Sequence, residues 1–413
     1  MIKHSVIIDK NKCVGCTSCI KACPNEAIRV RGGKARLLDQ RCIDCGTCIN
    51  KCPHGAIKTT HSDLSILQKY KYTVALPDQA LFGQFTKVRD PNVILTALIT
   101  LGFDDICEPA ASAELIAQFA IRDKINGAAN KGPAISSCCP TILRLIRMRF
   151  PDLIPQVVDT IIPMEHAAIK AREKAIAETG LFPEEIGIIA IVPCPSQITE
   201  SNYPETMKRR VIDECIPIVD IYGPLESAIK KVTDPIPICR SGRRGLTHAY
   251  SGGEAAARKA WNFMAVDEIQ NCITMLEEIE NGNIPEADYI ELNACTCGCV
   301  GGSLCVGNPF NAKLRIKKML GDLPEYFDAY DLSMENRQQL TVSKKLEYLP
   351  AFLLDEDRSM AFEKMNKIQE IRKTLPGIDC GSCGAPSCNA FAEDIVQVHA
   401  DPARCVFHRK ESK

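Results

Sequence analysis

The stretches that decide the fold near the N-terminus read CVGCTSCIKACP at residues 13–24 and CIDCGTCINKCP at residues 42–53. Both follow the pattern C-x2-C-x2-C-x3-C-P. The first three thiolates of such a run wrap one face of a 4Fe-4S cubane, while the fourth cysteine ligates the cluster of the other run. The crossed sets predicted in this way are Cys13, Cys16, Cys19 and Cys52 for one cluster, and Cys42, Cys45, Cys48 and Cys23 for the other.

The two runs belong to an internal repeat. In each half a short apolar strand precedes the cysteine run, as in SVIIDKNKC and ARLLDQRC. A pair of zinc knuckles is the alternative, although such sites use two C-x2-C pairs without a third cysteine or a terminal proline. The repeat resembles a bacterial ferredoxin, which implies an α+β domain over residues 1–60 with two 4Fe-4S clusters. Two adjacent cubanes conduct electrons, so this domain is predicted to be an electron-transfer module.

The composition predicts a cytoplasmic protein with several domains. With 413 residues, of which 46% are hydrophobic, the chain is long enough for two or three domains. Its 50 basic and 51 acidic residues nearly cancel, so neither nucleic acid nor a membrane surface is indicated as a partner. No signal core or stretch long enough to span a bilayer is visible. The 23 cysteines lie in tight clusters, which in a reducing compartment are mostly metal ligands.

Alternating strand and helix patterns over residues 70–325 predict an α/β domain. Apolar runs such as YTVALP and IGIIAIV are typical of buried strands, and HAAIKAREKAIAETG is typical of a helix. Three segments deliver cysteines at the ends of strands: AISSCCP, IVPCP and ELNACTCGC. Because ligands bind at the carboxyl ends of strands in open α/β sheets, we expect these three loops to converge.

The three cysteine loops resemble those that hold the active-site cluster of [FeFe] hydrogenases, which read roughly TSCCPxW, MPCxxK and MACxGGCxxGG. The segments here are SSCCP, VPCPSQ and ELNACTCGCVGG. The resemblance implies a hydrogenase-like α/β domain with a 4Fe-4S cubane on four matching cysteines, which are Cys139, Cys194, Cys295 and Cys299. In that family the cysteine matching Cys299 also bridges to a two-iron site. The one matching Cys138 shuttles protons, so Cys138 is a catalytic candidate only if a two-iron centre is present.

Several positions depart from the catalytic members of that family. The lysine that hydrogen-bonds a cyanide of the two-iron site is replaced by Gln197, which carries no fixed positive charge. The acids of the proton route align with Phe119 and Ala120, so we expect the usual relay beyond Cys138 to be missing. The continuation GGSLCVGNPF resembles a divergent, regulatory branch that is often called sensory. Gln197 is thus a predicted cofactor neighbour in an altered pocket.

Cys297 stands at a position that is glycine in the family motif, where a small residue leaves room for the cofactor. Its thiol is predicted to lie beside the cofactor without ligating iron. Ligation of iron, or reactivity of the thiol, is the alternative. Cys305 raises the same question.

A small C-terminal unit at residues 371–413 carries four more cysteines, which are Cys380, Cys383, Cys388 and Cys405. Gly381 and Gly384 permit a tight turn around a cluster. The segment LPGIDCGSCGAPSCNAFAEDI resembles a small 4Fe-4S-binding domain that occurs in corrinoid iron-sulfur proteins and in sensory hydrogenase-like chains. The resemblance implies a fourth cluster, and a structural zinc site is the alternative. Residues 326–370 are predicted to form a helical connector.

Other motifs carry less chemistry. No dinucleotide or Walker fingerprint is present, so a flavin or NAD(P) site is expected on another subunit. The segment SGGEAAARKAW places a small-residue turn before a helix but matches no nucleotide motif. His166 and His248 are predicted to be polar surface residues.

Together these features predict an iron-sulfur chain with four 4Fe-4S clusters. We expect it to relay single electrons to or from partner redox subunits, or to sense redox state or hydrogen. The expected partners are a flavin- or NAD(P)-binding subunit, a hydrogenase or a ferredoxin. The competing hypothesis is an [FeFe] hydrogenase whose two-iron centre slowly oxidises or senses hydrogen. A third is a scaffold whose clusters only stabilise the fold.

Overall fold

The computed structural model describes residues 3–128, 132–258, 262–284, 286–327, 329–330 and 339–407, with the backbone alone over residues 119–128. The chain divides into two compact units. The first unit joins residues 1–60 to residues 349–413, and the second unit covers residues 61–348. The N-terminal and C-terminal cysteine motifs therefore belong to the same unit, although the whole second unit separates them in sequence.

Short strands and helices make up the first unit, and longer ones the second. The strands are β1 (Val6–Ile8), β2 (Ile28–Arg31), β3 (Lys34–Leu37), β4 (Ile57–Thr59), β5 (Tyr72–Pro77), β6 (Asp105–Ile106), β7 (Ala134–Ile135), β8 (Ile186–Val192), β9 (Glu214–Pro217), β10 (Phe263–Asp267) and β11 (Tyr289–Asn293). The helices are α1 (Ser18–Ala22), α2 (Thr47–Lys51), α3 (Pro91–Thr100), α4 (Pro109–Ala128), α5 (Pro140–Arg149), α6 (Pro163–Thr179), α7 (Pro195–Asn202), α8 (Ile218–Ile229), α9 (Arg243–Leu246), α10 (Gly253–Ala257), α11 (Ile269–Glu280), α12 (Pro309–Met319), α13 (Arg358–Thr374) and α14 (Cys388–Val396). Within the described ranges, no helix is both long and apolar enough to cross a membrane.

The N-terminal half of the first unit repeats one pattern twice. β1 pairs with β4 and β2 pairs with β3, both antiparallel. Gly32 and Gly33 turn the β2–β3 hairpin with φ values of 58° and 71°, which glycine adopts without strain. α1 and α2 each follow a residue in the left-handed conformation, Thr17 and Gly46. The two cysteine runs therefore enter their helices in the same way, in keeping with the internal repeat.

The C-terminal half of the first unit consists of α13 and α14, which pack on each other around an apolar core. Ile368 from α13 and Phe391 from α14 lie in this core together with Cys405. Buried charges join the two halves of the unit. Arg29 Nε donates to both carboxylate oxygens of Asp394, at 3.0 and 2.8 Å.

The second unit is built on two parallel sheets. One has the strand order β6-β5-β8-β9 and the other the order β10-β11-β7. In the first sheet Tyr72 pairs with Ile186 and Pro77 with Ile191. Every residue of β8 is buried, as expected for a parallel strand that helices cover on both faces. The predicted fold class, a multi-domain α/β protein, is confirmed.

A buried ion network joins α5 to α7 in the second unit. Arg144 on α5 has no exposed surface. Its Nε donates to Glu205 Oε1 at 3.0 Å, and its Nη2 donates to Glu200 Oε2 at 2.9 Å. α5 begins directly after Cys139 and α7 directly after Cys194. The network therefore fixes the two helices that carry these cysteines at their first turns.

The prediction that His166 lies on the surface is wrong. The residue has no exposed surface, and its Nδ1 lies 2.9 Å from Ser112 Oγ. Its ring meets the ring of Tyr330 edge-on at 5.3 Å. A hydroxyl on α4 hydrogen-bonds one ring nitrogen, and this partner cannot be read from the local pattern of α6. His248 is also partly buried.

The region predicted as a helical connector, residues 326–370, is described in part. Residues 331–338 lie outside the described ranges. α13 begins at Arg358 and continues beyond the predicted end of the connector. Residues from 349 onward belong to the first unit.

Replacing Arg144 with methionine should lower the free energy of unfolding of the second unit by about 3–5 kcal/mol, since buried Glu200 loses its arginine partner and Glu205 loses one of its two, retaining Arg147. Arg149→Met on the same helix is the matched control. Arg149 lies 3.6 Å from Glu277, whose side chain is 51% exposed, and surface pairs contribute about 0–1 kcal/mol. Urea unfolding measures both variants. Equal losses of stability in the two variants would contradict the structural role of the buried network.

Replacing His166 with glutamine should flatten the acid side of the stability profile. Burial, assisted by Lys170, lowers the pKa of His166 from 6.5 to about 4. As pH falls through 6.5 the unfolded chain takes up the proton first, so up to about 3 kcal/mol of stability is lost by about pH 4. Thermal unfolding at about pH 7 and pH 5 measures this loss. We expect a smaller difference in His166→Gln and an unchanged one in His399→Gln, whose histidine is exposed; the reverse pattern would refute the assignment.

Candidate iron-sulfur sites

The first cysteine set surrounds one cavity in the first unit. The thiols that line it are those of Cys13, Cys16, Cys19 and Cys52. Burial, and after it the neighbouring thiolates of this set, raise the pKa of Cys19 to about 11. Cys52 comes from the second run, so the structure brings the fourth cysteine of one run to the first three of the other.

The second cysteine set has the same crossed composition. It consists of Cys42, Cys45, Cys48 and Cys23. Burial raises the pKa of Cys45 to about 11, and the charge of Cys23 adds to the rise. Burial also raises the pKa of Cys48, to which Cys45 and Cys23 both contribute. Cys23 therefore lies among the thiols of the opposite run.

Backbone N–H groups point at sulfurs of both sets. Ala27 N donates to Cys23 Sγ at 3.2 Å, and Ala56 N donates to Cys52 Sγ at 3.3 Å. These two bonds are related by the internal repeat. N–H donors to sulfur stabilise the negative charge of cluster ligands and tune cluster potentials. Converging thiols and oriented N–H groups fit the charge and ligand demand of 4Fe-4S clusters.

A buried histidine and carboxylate adjoin the second set. His4 Nδ1 lies 2.6 Å from Asp44 Oδ2. The ligand atoms of His4, Cys42 and Asp44 all lie within 4.8 Å of one another. His4 was not selected from the sequence, because a single histidine ahead of the cysteine run has no diagnostic spacing.

The cysteine loops of the second unit converge as the strand pattern predicts. Cys139 follows β7, Cys194 follows β8 and Cys295 follows β11. β7 and β11 are parallel neighbours, so their carboxyl ends meet at one edge of the sheet. Leu304 N donates to Pro193 O at 2.9 Å, which ties the loop after β11 to the loop after β8.

The thiols predicted as ligands in these loops form a central set. Its members are Cys139, Cys194, Cys295 and Cys299. Burial, then Asp78 and the other thiolates of the set, raise the pKa of Cys299 well above its usual range. Cys139 and Cys194 are the N-cap residues of α5 and α7. Helix N-termini stabilise negative charge, so the positions of Cys139 and Cys194 are suited to an anionic cluster.

Gln197 has a carboxylate as its neighbour. Its Nε2 donates to Asp78 Oδ2 at 2.8 Å. Asp78 follows β5 directly, accepts from Ala80 N at 2.8 Å through its other oxygen, and has a pKa that burial raises. This amide and carboxylate stand where the resemblance implies a lysine in catalytic relatives. Asp78 was not selected from the sequence, although an acid at the end of a buried strand was a usable signal.

The thiol of Cys138 contacts a carboxylate that was not selected from the sequence. Cys138 Sγ lies 3.2 Å from Glu254 Oε1 in α10. Tyr289 Oη donates to the same oxygen at 2.6 Å, and Arg258 Nε donates to it at 3.1 Å. Ser136 Oγ donates to Glu254 Oε2 at 2.6 Å. Burial acts against ionisation, but Arg258 and these donors outweigh it and lower the pKa of Glu254.

Glu254 is a separate carboxylate beside the proposed start of the proton route. The family acids align with Phe119 and Ala120 of α4, whose side chains fall outside the part of the chain that the structure describes. A carboxylate nevertheless adjoins Cys138, and it comes from the turn and helix of SGGEAAARKAW. The expectation that the usual relay beyond Cys138 is missing rests on Phe119 and Ala120 and stays a prediction, while Glu254 is an acid from another segment. The available signal was the lone acid in a small-residue helix start.

The two additional thiols of the third loop have different surroundings. Cys297 is buried with a φ of 64°, and burial and the charge of Asp267 raise its pKa. Cys305 lies against the central set, since its Sγ donates to Cys299 O at 3.5 Å. Burial raises the pKa of Cys305, and the Cys194 thiolate contributes. Cys305 thus contacts the backbone of one member of the central set.

The C-terminal cysteines gather around the start of α14. This C-terminal set consists of Cys380, Cys383, Cys388 and Cys405. Burial raises the pKa of Cys383, with smaller contributions from Cys380 and Cys405. Asp379 Oδ1 accepts from Cys388 N at 2.6 Å, which ties the first cysteine pair to the helix. Cys405 is buried while Cys380 is exposed.

Curated proteins similar in sequence are a hydrogenase, a subunit of an oxidoreductase complex and a ferredoxin. Iron hydrogenase 1 of Clostridium pasteurianum is 24% identical over 267 residues, which are 54% of this chain and 46% of that protein. One subunit of the ion-translocating oxidoreductase complex of Rhodobacter capsulatus is 45% identical over 38 residues, 9% of this chain and 20% of that protein. Ferredoxin-2 of Desulfomicrobium norvegicum is 47% identical over 32 residues, 8% of this chain and 54% of that protein. The matches thus span about half, or less, of each relative.

Solved structures of [FeFe] hydrogenases share the fold. A variant of apo HydA1 from Chlamydomonas reinhardtii superposes with a TM-score of 0.54 at 14% identity, covering 70% of this chain and 98% of that chain. The structure of HydA(deltaEFG), described for stepwise H-cluster assembly, gives a TM-score of 0.52 at 15% identity and covers 68% and 97%. At such low identity the likeness shows the fold alone.

Three family models match the chain. The 4Fe-4S dicluster domain matches residues 5–53, and the putative Fe-S cluster family matches residues 375–407. These matches confirm iron-sulfur cluster binding as the chemistry of both regions and favour it over zinc. The model for the iron only hydrogenase large subunit, C-terminal domain, matches residues 71–231 and 223–303, together more than half of the chain. The chain therefore belongs to the family of the iron-only hydrogenase large subunit, C-terminal domain.

Proposed function

We propose that this chain is an iron-sulfur electron-transfer or redox-sensing protein that holds four 4Fe-4S clusters and relays single electrons to or from partner redox subunits. The observation that carries the proposal is the grouping of thiols into separate four-member sets, two of them crossed between the N-terminal runs. Three of the sets combine buried cysteines with at least one more accessible cysteine, whereas all four cysteines of the central set are partly buried. A 4Fe-4S cluster supplies one-electron chemistry at such a set.

The proposed ligands are the members of the four sets, which are Cys13, Cys16, Cys19, Cys52, Cys42, Cys45, Cys48, Cys23, Cys139, Cys194, Cys295, Cys299, Cys380, Cys383, Cys388 and Cys405. The protein's own contribution is to set the potential at each place. Backbone N–H groups favour the reduced, more negative form, and burial disfavours it. Helix N-termini at Cys139 and Cys194 act in the same direction as the N–H groups.

We assign the chain to the sensory, regulatory branch of its family rather than to the catalytic one. The support is the pair formed by Gln197 and Asp78, which places an amide and a carboxylate beside the central set. A lysine at that position would supply a fixed positive charge for an anionic ligand, and the glutamine supplies none. We also propose that Cys297 and Gln197 adjoin the cofactor without ligating it.

A second candidate function is slow hydrogen oxidation or hydrogen sensing. The observation that favours it is the contact of Cys138 Sγ with Glu254 Oε1 at 3.2 Å. A two-iron centre held at Cys299 would supply the hydrogen chemistry. Cys138 would hold a proton at its sulfur, and the ionised Glu254 would be its acceptor. Glu254 would then be neutral, and the negative charge would rest on the Cys138 thiolate, with Arg258 nearby.

The proposed partners are redox subunits that carry a flavin or NAD(P), a hydrogenase, or a ferredoxin. Their support is the absence of a nucleotide fingerprint in the sequence, together with the names of two relatives, a ferredoxin and a subunit of an oxidoreductase complex. We propose a cytoplasmic location on the composition and on the clustering of the cysteines in the sequence.

Replacing Cys194 with alanine should remove about four irons from a chain that holds about sixteen when fully loaded, because the central set loses one of its four thiolates. Cys297→Gly is the matched control from the same site. Glycine adopts the φ of 64° at that position freely, so we expect the fold and the iron content to be kept. Iron and sulfide analysis measures both variants. Iron loss in Cys297→Gly would make Cys297 a ligand and contradict the assignment.

Infrared spectra of protein purified from its native host should show no bands of iron-bound carbonyl or cyanide, with iron content near that of four cubanes. The reason is that Gln197 and Asp78 offer no cationic hydrogen-bond donor for an anionic iron ligand. Such bands, if found, would overturn the electron-carrier proposal in favour of the hydrogen function. In that case Glu254→Gln should slow hydrogen turnover more than it changes the bands.

A further inference from the structure

The C-terminal set lies directly against the ferredoxin-like half of the first unit. Gly381, next to Cys380, packs on Ile20 and Lys21 of α1, and a Cβ built on this glycine would lie 3.0 Å from Lys21 Cε. Arg31 Nη1 donates to Cys383 O at 3.0 Å. The loop that carries two C-terminal thiols therefore rests on the helix between Cys19 and Cys23 and on the end of β2.

A single residue links this loop to the cavity of the first set. Val30 N donates to Gly384 O at 2.8 Å, one residue beyond Cys383. The same Val30 lines the cavity that Cys13 and the other thiols of the first set surround. Gly384 has a φ of 82°, and a Cβ there would lie 1.9 Å from Val30 O. Only glycine permits this close approach, so the contact depends on the residue type at position 384.

Buried charges hold α14 in the same position. The Asp394 carboxylate accepts from Arg29 and from Arg31. The exposed fractions of the side chains are 5% for Arg29, 12% for Arg31 and 7% for Asp394, so all three are largely buried. A second pair joins Arg41 to Glu393. Removing charges from water is unfavourable unless they are paired in good geometry. The two halves of the unit are therefore docked in one arrangement and are not loosely tethered.

We infer that the C-terminal cluster is the direct redox neighbour of the cluster in the first set, with the Val30–Gly384 contact as the link between them. The inference rests on the proposed presence of clusters at both sets and adds their order. One electron leaves the reduced cluster and enters the oxidised one, and no bond or proton moves. An external one-electron carrier supplies or removes that electron. The three cysteine sets of the first unit thus form one relay whose parts come from both ends of the sequence.

Electron paramagnetic resonance of the fully reduced protein tests the inference. We expect the spectrum to show splitting or broadening from spin coupling between the C-terminal cluster and the first set. Cys405→Ala should remove about four irons and abolish that coupling. If about four irons are lost but the wild-type spectrum equals the variant spectrum plus that of one isolated cluster, the inference is overturned. If no iron is lost, the C-terminal cluster itself is refuted, and the proposed function fails with it.

Two alanine variants with the same backbone strain isolate the contact. Gly384→Ala places a Cβ 1.9 Å from Val30 O, whereas Gly377→Ala, at a φ of 69°, meets nothing within 4 Å. We expect full iron content in both variants and weakened coupling in Gly384→Ala alone. Equal coupling in the two variants at full iron content overturns the role of the link.

A second pair of variants covers the case in which Gly384→Ala loses iron. Asp394→Asn removes the charge that pairs with two arginines and should undock α14, with coupling reduced at unchanged iron content. Asp401→Asn is the control, because Asp401 is exposed and accepts from its sequence neighbour Ala403 N at 2.8 Å. Coupling that survives in Asp394→Asn while limited proteolysis shows an undocked α14 overturns the inference.

Discussion

The central site depends on one buried cation. Arg144 donates to Glu205, to Glu200 and to Ser196 Oγ, and all four side chains are buried. A guanidinium is planar and its N–H donors point in fixed directions, so it can bind its acceptors in few arrangements. α5 and α7 therefore cannot slide past each other without leaving a charge unpaired at a cost of several kcal/mol. The positions of the thiols at the first turns of these helices follow from that constraint.

Cysteine spacing and strand pattern were sufficient to predict those parts of the sites that are formed by residues close together in sequence. The two C-x2-C-x2-C-x3-C-P runs specify their helices and turns locally, and the buried strand IGIIAIV specifies where Cys194 must lie. Long-range pairing was not predictable in this way. Glu254 reaches Cys138 from a separate helix, and Ser112 accommodates His166 across two helices. Such contacts leave no period or spacing in the sequence, so polar residues in helices are easily assigned to solvent.

Charge is distributed unevenly around the central set. Asp78 adds a buried carboxylate next to Gln197, whereas the carboxylate of Glu254 is paired with Arg258. After burial, the charge of Asp78 contributes most to the raised pKa of Cys299, so it disfavours further negative charge there. The pair with Arg258 favours the ionised form of Glu254 beside the thiol of Cys138.

The first unit is discontinuous, and this affects how the molecule is made. Arg29 and its partner Asp394 are separated by 365 residues in the chain. At about 5–20 residues per second, a ribosome takes roughly 20–70 s to reach the second of them after the first. During that interval Arg29 and Arg31 of β2 lack their partner Asp394. The thiols of the N-terminal runs are then accessible to oxygen and to other metal ions. We therefore expect synthesis of this protein to benefit from a chaperone or cluster-delivery factor that binds the N-terminal half of the first unit until the C-terminal half is made.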